Sequence, residues 1–216
     1  MISLADCCAY AVAVREQPGQ FDDDDGSADE AIRSAQTPEQ LLHALRTGRV
    51  IAAIVATAEE TDEITGADKS SHMSVVSMVS ADGRRGLLAF TGLDALQRWD
   101  PIARPVPVSG TDAARAALDD GCEAMVIDVA GPRTLVVIEA DLIELAGIDR
   151  LDYVRQLTQQ AMDDRFGAGE IHVSAVHERL RVESAHIGQS EIAGALEQLP
   201  RVLALVPAGV EVLAHP

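Results

Sequence analysis

The sequence predicts an α+β protein: a mixed sheet with short helices, followed by a small α-β-β-α-β unit. Three observations predict it. Short β-branched apolar runs are interleaved with capped segments whose apolar residues recur at helical spacing. Strand follows strand without an intervening helix at Met73–Phe90 and again at Ala124–Ile138, which breaks a strict βαβ alternation. The pattern then stops at Gly147 and restarts, so three segments are expected: 1–36, 37–147 and 148–216. With 216 residues, 47% of them hydrophobic, there is apolar material for more than one core.

Residues 1–36 read as a strand-like apolar segment, Cys7–Val14, and then an acidic flexible linker. Asp22–Asp25, flanked by Gly26 and Ser27, cannot bury enough apolar surface to offset ordering entropy. Those four aspartates also lack the alternate spacing of a calcium loop. The Cys7–Val14 run is too short to span a membrane, and no basic residue precedes it as a secretory leader requires. Cys7, Cys8 and Cys122 form no CxxC and suit reduced thiols, so a cytoplasmic setting is expected.

Thr37, Pro38 and Gln40 open a helix with Leu41, Leu42 and Leu45 on one stripe, stopped by Gly48. Val50–Ala56 is apolar on both faces and predicts a covered strand. Residues 58–72 are a polar insertion. Met73–Ser80 and Leu87–Phe90 predict two strands joined by the Asp82–Gly86 turn. Thr91 with Asp94 predicts a capping box for a helix buried through Leu93, Leu96 and Trp99, ended by Pro101. Pro105 and Pro107 remove ladder donors from one side of Val106–Val108, which places that strand at a sheet edge. Thr111 then caps Asp112–Leu118, Gly121 closes it, and strands Ala124–Val129 and Leu135–Ile138 flank Gly131-Pro132. A short helix around Asp141–Leu145 ends at Gly147.

In the last segment Asp149 caps a helix carrying Val154, Leu157 and Ala161. Alternation over Ile171–Ala175 and Leu180–Ser184 predicts a hairpin turning near His177-Glu178-Arg179. Pairing Val176 with Leu180 would set His172 opposite Ser184 and Glu170 opposite His186, two histidines and an acid on one face. Ser190 caps a last helix stopped by Pro200, and Val210–Leu213 closes the unit.

The block Leu87–Trp99, with Phe90-Thr91 before a short helix, then Arg104-Pro105-Val106-Pro107-Val108, resembles the SseB-type N-terminal domain of the "enhanced serine sensitivity" family. Met125-Val126-Ile127-Asp128 before Gly131-Pro132 falls where that family carries a strand ending in a turn. The resemblance covers about residues 37–146. The sequence departs from the family at Asp128-Val129, where many members carry Asn-Pro. One Lys among so many Arg, with abundant Ala, suits an actinobacterial-style member. The resemblance implies an α+β cytoplasmic domain of unassigned activity.

Four residues are candidates for a partner or ligand site: Thr91, Trp99, Arg104 and Asp128. Asp128 sits among Val126, Ile127 and Val129, so its carboxylate must be paired, face a cleft, or accept N–H groups in the following turn. Trp99 and Arg104 would rim a groove at the edge strand, where such residues anchor partners. Cys122 follows a helix C-terminus, which works against a reactive thiolate and suits a buried cysteine. No phosphate loop, dinucleotide fingerprint, nucleophile elbow or HExxH is present. No cofactor, metal site or catalytic residue is therefore assigned. Thirty-five acidic against 17 basic residues give −18, which opposes nucleic-acid and anionic-membrane binding. The function expected is a cytoplasmic binding or regulatory module with a protein or small-molecule partner, a homodimer among the options. The competing reading is an enzyme with its site around Asp128, Arg104 and Thr91.

Overall fold

The computed structural model describes residues 27–56, 73–206 and 208–214. The strand-like segment at Cys7–Val14, the Asp22–Asp25 run and the 58–72 insertion lie outside the described residues. The chain divides into two compact units, Met1–Gly147 and Ile148–Pro216. The fold is α+β, with one mixed sheet in the first unit and a smaller one in the second.

The linker expected through residue 36 is shorter than its composition suggests, because Ser27–Ser34 forms helix α1. Ala28, Ala31, Ile32 and Ala35 recur at i, i+3, i+4 and i+7, and Ile32 and Ala35 are buried. Helix α2, Pro38–Thr47, is capped by the Thr37 hydroxyl, which accepts from the Gln40 N–H. Strand β1, Arg49–Ala56, follows. The run Met73–Ser80 divides at Val76 into β2, Met73–Val75, and β3, Ser77–Val79. The division has a geometric cause. β2 pairs with the far half of β1 while β3 pairs with the start of β4, Arg85–Phe90, so the chain wedges between two diverging strands. The Val76 N–H donates to the Ala53 carbonyl and its own carbonyl accepts from Leu88, which bridges the wedge.

Strand β4 pairs antiparallel with β1 and parallel with β6, Ala124–Ile127, which in turn pairs antiparallel with β7, Leu135–Ile138. Strand β5, Arg104–Ser109, pairs with β1 along Arg49–Ile54 and, among the described residues, with no other strand. Its register sets Val106 opposite Ala52 and Val108 opposite Val50. Those two residues carry the donors that the β1 ladder requires, and Pro105 and Pro107 fall on the open side.

Helices α4, Gly110–Asp119, and α5, Glu139–Ala146, pack on the sheet face that carries Leu87, Ala89, Met125, Ile127 and Val137. Ser109, not Thr111, caps α4. Its hydroxyl accepts from the Asp112 N–H, because Gly110 must lead the helix where it abuts the end of α2. A Cβ at Gly110 would stand 2.2 Å from the Leu45 carbonyl oxygen, so only glycine permits that approach. The opposite sheet face is covered by α3, Leu93–Trp99, through Ala95, Leu96 and Trp99. Leu93, expected inward, is 53% exposed because the buried stripe of this two-turn helix begins at Ala95.

The second unit opens with α6, Arg150–Phe166, capped by the Asp149 carboxylate accepting from Asp152 N–H. Strands β8, His172–Val176, and β9, Arg179–Ser184, form the expected hairpin with a different register. His177 and Glu178 alone make the turn, both left-handed at φ 48° and 63°. Val176 therefore pairs with Arg179, and His172 faces Glu183 instead of Ser184. β9 ends at Ser184, so His186 lies beyond the ladder and the two histidines are not brought together on one sheet face. Helix α7, Gln189–Glu197, is preceded by Gly188 at its N-cap, not by Ser190. Pro200 opens a further helix, α8, Pro200–Leu205, as a first-turn proline. Strand β10, Val210–Ala214, lies parallel to β9, so the unit runs α-β-β-α-α-β. Among the described residues no helix is long and apolar enough to cross a membrane.

Candidate functional site

Strands β4 and β6 run parallel and deliver Thr91 and Asp128 side by side just beyond their carboxyl ends. The Asp128 N–H still donates to the Ala89 carbonyl at 3.0 Å, extending the ladder by one residue. The backbone then turns left-handed, with φ 57° at Asp128. Asp and Asn are the side chains other than glycine that adopt this conformation most readily. That requirement accounts for an Asp here and for Asn at the matching place of the family resemblance.

The carboxylate of Asp128 does not close an Asx turn. The following turn is closed by its backbone carbonyl, which accepts from the Gly131 N–H at 2.8 Å and the Thr134 hydroxyl at 3.3 Å. The side chain points instead at Thr91. Oδ1 accepts from the Thr91 N–H at 2.9 Å and Oδ2 from the Thr91 hydroxyl at 2.6 Å. Both residues are buried, Thr91 at 1% and Asp128 at 8% exposure. A buried carboxylate must find such donors, and Thr91 supplies one to each oxygen. Thr91 is therefore not an N-cap. Gly92 occupies that position without a side-chain cap, because the Thr91 hydroxyl is committed to Asp128.

Arg33 of α1 completes the arrangement, donating from Nε to the Thr91 Oγ1 at 2.7 Å and pairing with Asp94 at 3.0 Å. Asp94 also holds Arg98 at 2.6 Å. Partial burial pushes the Asp94 carboxyl up, yet Arg33, Arg98 and nearby backbone N–H groups outweigh it and hold the group below the usual carboxylate range. Arg133 donates to the Arg33 carbonyl at 3.3 Å, which joins the helix end to the turn entering β7. The Arg33 guanidinium passes so close to Gly92 that a Cβ there would meet it at 2.5 Å. The chemical character is a hydrogen-bonded clasp running Arg33 to Thr91 to Asp128.

The other two candidates lie elsewhere. Trp99 closes α3, half-buried, with its ring centroid 5.4 Å from that of Phe90. Arg104 is exposed at the start of β5, opposite Ile54. Between them the Asp100 carboxylate accepts from the Ile102 N–H at 2.9 Å, turning Ala103 into the core and leaving Ile102 88% exposed. Thr91 and Asp128 are thus one constellation, and Trp99 with Arg104 flank a separate corner. Arg33 is the member of this constellation that sequence reasoning misses, since the acidic run masks the helical spacing of Ala28, Ala31, Ile32 and Ala35.

A second, partly buried polar pair lies at the other end of β4. Asp120 pairs with Arg85 at 2.7 Å and accepts from the fully buried Cys122 thiol at 3.7 Å. Burial raises the Asp120 carboxyl above its ordinary range despite Arg85 and the thiol. Among the described residues no group of three or more His, Cys, Asp or Glu side chains is arranged to hold a metal ion.

Comparison with curated proteins and with solved structures finds no match. The model of the SseB protein N-terminal domain matches residues 28–144, from the start of α1 almost to the end of α5. That span is just over half of the 216-residue chain, and it contains the whole clasp, the Trp99 corner and every strand of the first sheet. The chain belongs to the SseB N-terminal-domain family.

Proposed function

We propose that the chain is a non-catalytic binding module which meets a protein or small-molecule partner at the corner between α3 and β5. The orientation of Asp128 carries this reading. A general base needs a carboxylate open to substrate, whereas Asp128 is buried at 8% exposure and each of its oxygens already accepts from Thr91. Arg104, which the enzyme reading would place beside that acid, sits at the exposed start of β5. The corner offers the features of a contact surface: Ile102 at 88% exposure, with half-buried Trp99 and exposed Arg104 on either side of it in the chain. Apolar and aromatic groups beside Arg are the usual anchors of an interface. The clasp then acts as a positioning device, fixing the end of β4 from which α3 departs. A cytoplasmic setting suits the sparse cysteines.

Affinity capture from the native cell, comparing wild type, Ile102→Asp and Asp128→Asn, tests this. Ile102 is exposed and Asn tolerates the left-handed backbone, so both variants should fold. The partner set should disappear with Ile102→Asp and persist with Asp128→Asn. Retention with the first and loss with the second would move the site to the clasp.

A further inference from the structure

The second sheet is ordered β10-β9-β8, and among the described residues β8 pairs with β9 alone. An edge strand offers a row of N–H and C=O groups to which another chain can pair, and charges, prolines or bulges ordinarily blunt it. Strand β5 is blunted by two prolines. Strand β8 reads His-Val-Ser-Ala-Val, with no proline, no lysine and no acid. Its cover comes from a helix side chain instead. Helix α6 packs against β8 with Val154, Thr158 and Met162 buried, and Gln159 stands half-buried beside Thr158. The Gln159 Oε1 accepts from the Val173 N–H at 2.9 Å, and its Nε2 donates to the Ile171 carbonyl at 2.9 Å. Nε2 also donates to Asp163 Oδ1 at 3.0 Å, one turn along α6, which fixes which end of the amide faces which group.

Both backbone groups that Gln159 takes lie on the side of β8 away from β9. In an antiparallel strand the N–H and C=O of one residue point the same way, and successive residues alternate. The two-residue turn at His177-Glu178 makes Val176 and Arg179 the closing hydrogen-bonded pair, so the backbone groups of His172, Ser174 and Val176 face β9. Those of Val173 and Ala175 then face outward, as the bond from Val173 to Gln159 requires. The side-chain amide thus takes the donor and the acceptor that an added strand would take at Ile171 and Val173. Ala175, which continues the row, is exposed. Stripped of the amide, this edge is complementary to itself. Two copies related by a two-fold axis at Ser174 would set Val173 against Ala175 in both directions and His172 against Val176, with no like charges opposed. We infer that β8 is a latent self-pairing edge, complementary to β8 of a second copy, and that Gln159 keeps it shut by standing in for the missing strand.

The inference does not rest on the partner site at Ile102, and the full-length chain tests it by analytical ultracentrifugation and residue-resolved amide exchange. In the wild type the Val173 N–H should exchange at least about tenfold more slowly than the Ala175 N–H, since only the first has a partner. Gln159→Ala keeps a strong helix former in α6 and removes the amide. It should self-associate at least about tenfold more tightly than the wild type, and its Ala175 N–H should gain protection as protein concentration rises. Ala175→Pro deletes an outward donor, so adding it to Gln159→Ala should restore wild-type behaviour. Gln159→Glu leaves an acceptor for Val173 but sets a charge against Asp163 and the Ile171 carbonyl. It should lose stability without associating, which separates an open edge from a loosened fold. Should Gln159→Ala melt before it associates, the near-isosteric Gln159→Met replaces it under the same expectations. Four results would overturn the inference. They are an Ala175 N–H already protected in dilute wild type, no added association in the amide-less variant, association that survives Ala175→Pro, or Gln159→Glu associating as tightly as Gln159→Ala.

Discussion

Thr91 satisfies three groups with one short side chain and its own N–H: both oxygens of Asp128 and the Nε of Arg33. Replacing its hydroxyl by a methyl, Thr91→Val, strands a buried carboxylate oxygen and a guanidinium donor. The buried carboxylate oxygen left unmet costs about 1–3 kcal/mol, while the half-exposed Arg33 guanidinium turns to water and Asp94, so urea denaturation should show a loss of about 2 kcal/mol. Thr91→Ser, which keeps the hydroxyl, should recover most of it. Equal losses for the two variants would mean that the methyl contact, not the hydrogen bonds, matters here. At this scale the sequence was legible where composition is anomalous. An Asp inside Val126–Val129 announces a paired carboxylate, but nothing local says whether its donors come from the next turn or from a strand partner 37 residues away. Thr91 misleads for the same reason. Its spacing to Asp94 suits a capping box, and only the parallel pairing of β4 with β6 offers its hydroxyl a more demanding acceptor.

The hairpin of the second unit shows how one backbone choice sets a whole element. The apolar–polar alternation of β8 and β9 is plain in the sequence. The register is not, because His177-Glu178 lacks the Asn-Gly signature of a two-residue turn. Counting Arg179 into the turn shifts every pair by one and carries His172 from Glu183 to Ser184. Both turn residues hold a left-handed conformation that costs an ordinary L-residue about 1–2 kcal/mol. Installing Asn-Gly at positions 177 and 178 should therefore stabilise the protein by about 1 kcal/mol, measured by chemical denaturation. An unchanged or lower stability would show that His177 or Glu178 makes compensating contacts. Prolines read more reliably. Pro105 and Pro107 put β5 at the edge, and Pro200 marks a boundary, although it opens α8 as well as ending the segment before it.

Across the molecule, charge is the strongest imbalance. Excess acid repels itself in the compact state, whereas the ion pairs among the described residues are mostly exposed and screened by solvent, so they offset little of it. Salt should then stabilise, because screening relieves more repulsion than attraction. Raising NaCl from low to physiological strength should lift the melting temperature by about 2–4 °C, corresponding to about 1 kcal/mol. A fall would mean that the ion-pair network around Arg33, Asp94 and Arg98 outweighs the net charge. Fold class and the break at Gly147 follow from pattern and composition, which are properties of the chain as a string. Strand order does not, since the wedge of β2 and β3 and the parallel step from β4 to β6 depend on pairings remote in sequence. The prolines of β5 also dictate the kind of company this sheet can keep. Along its open side the strand offers the carbonyls of Pro105 and Pro107 and not one N–H between them. Two such borders brought together would set acceptor against acceptor. Ladder pairing of two copies is therefore opposed along Pro105–Pro107, and a visitor to this stretch of the border must arrive as a donor.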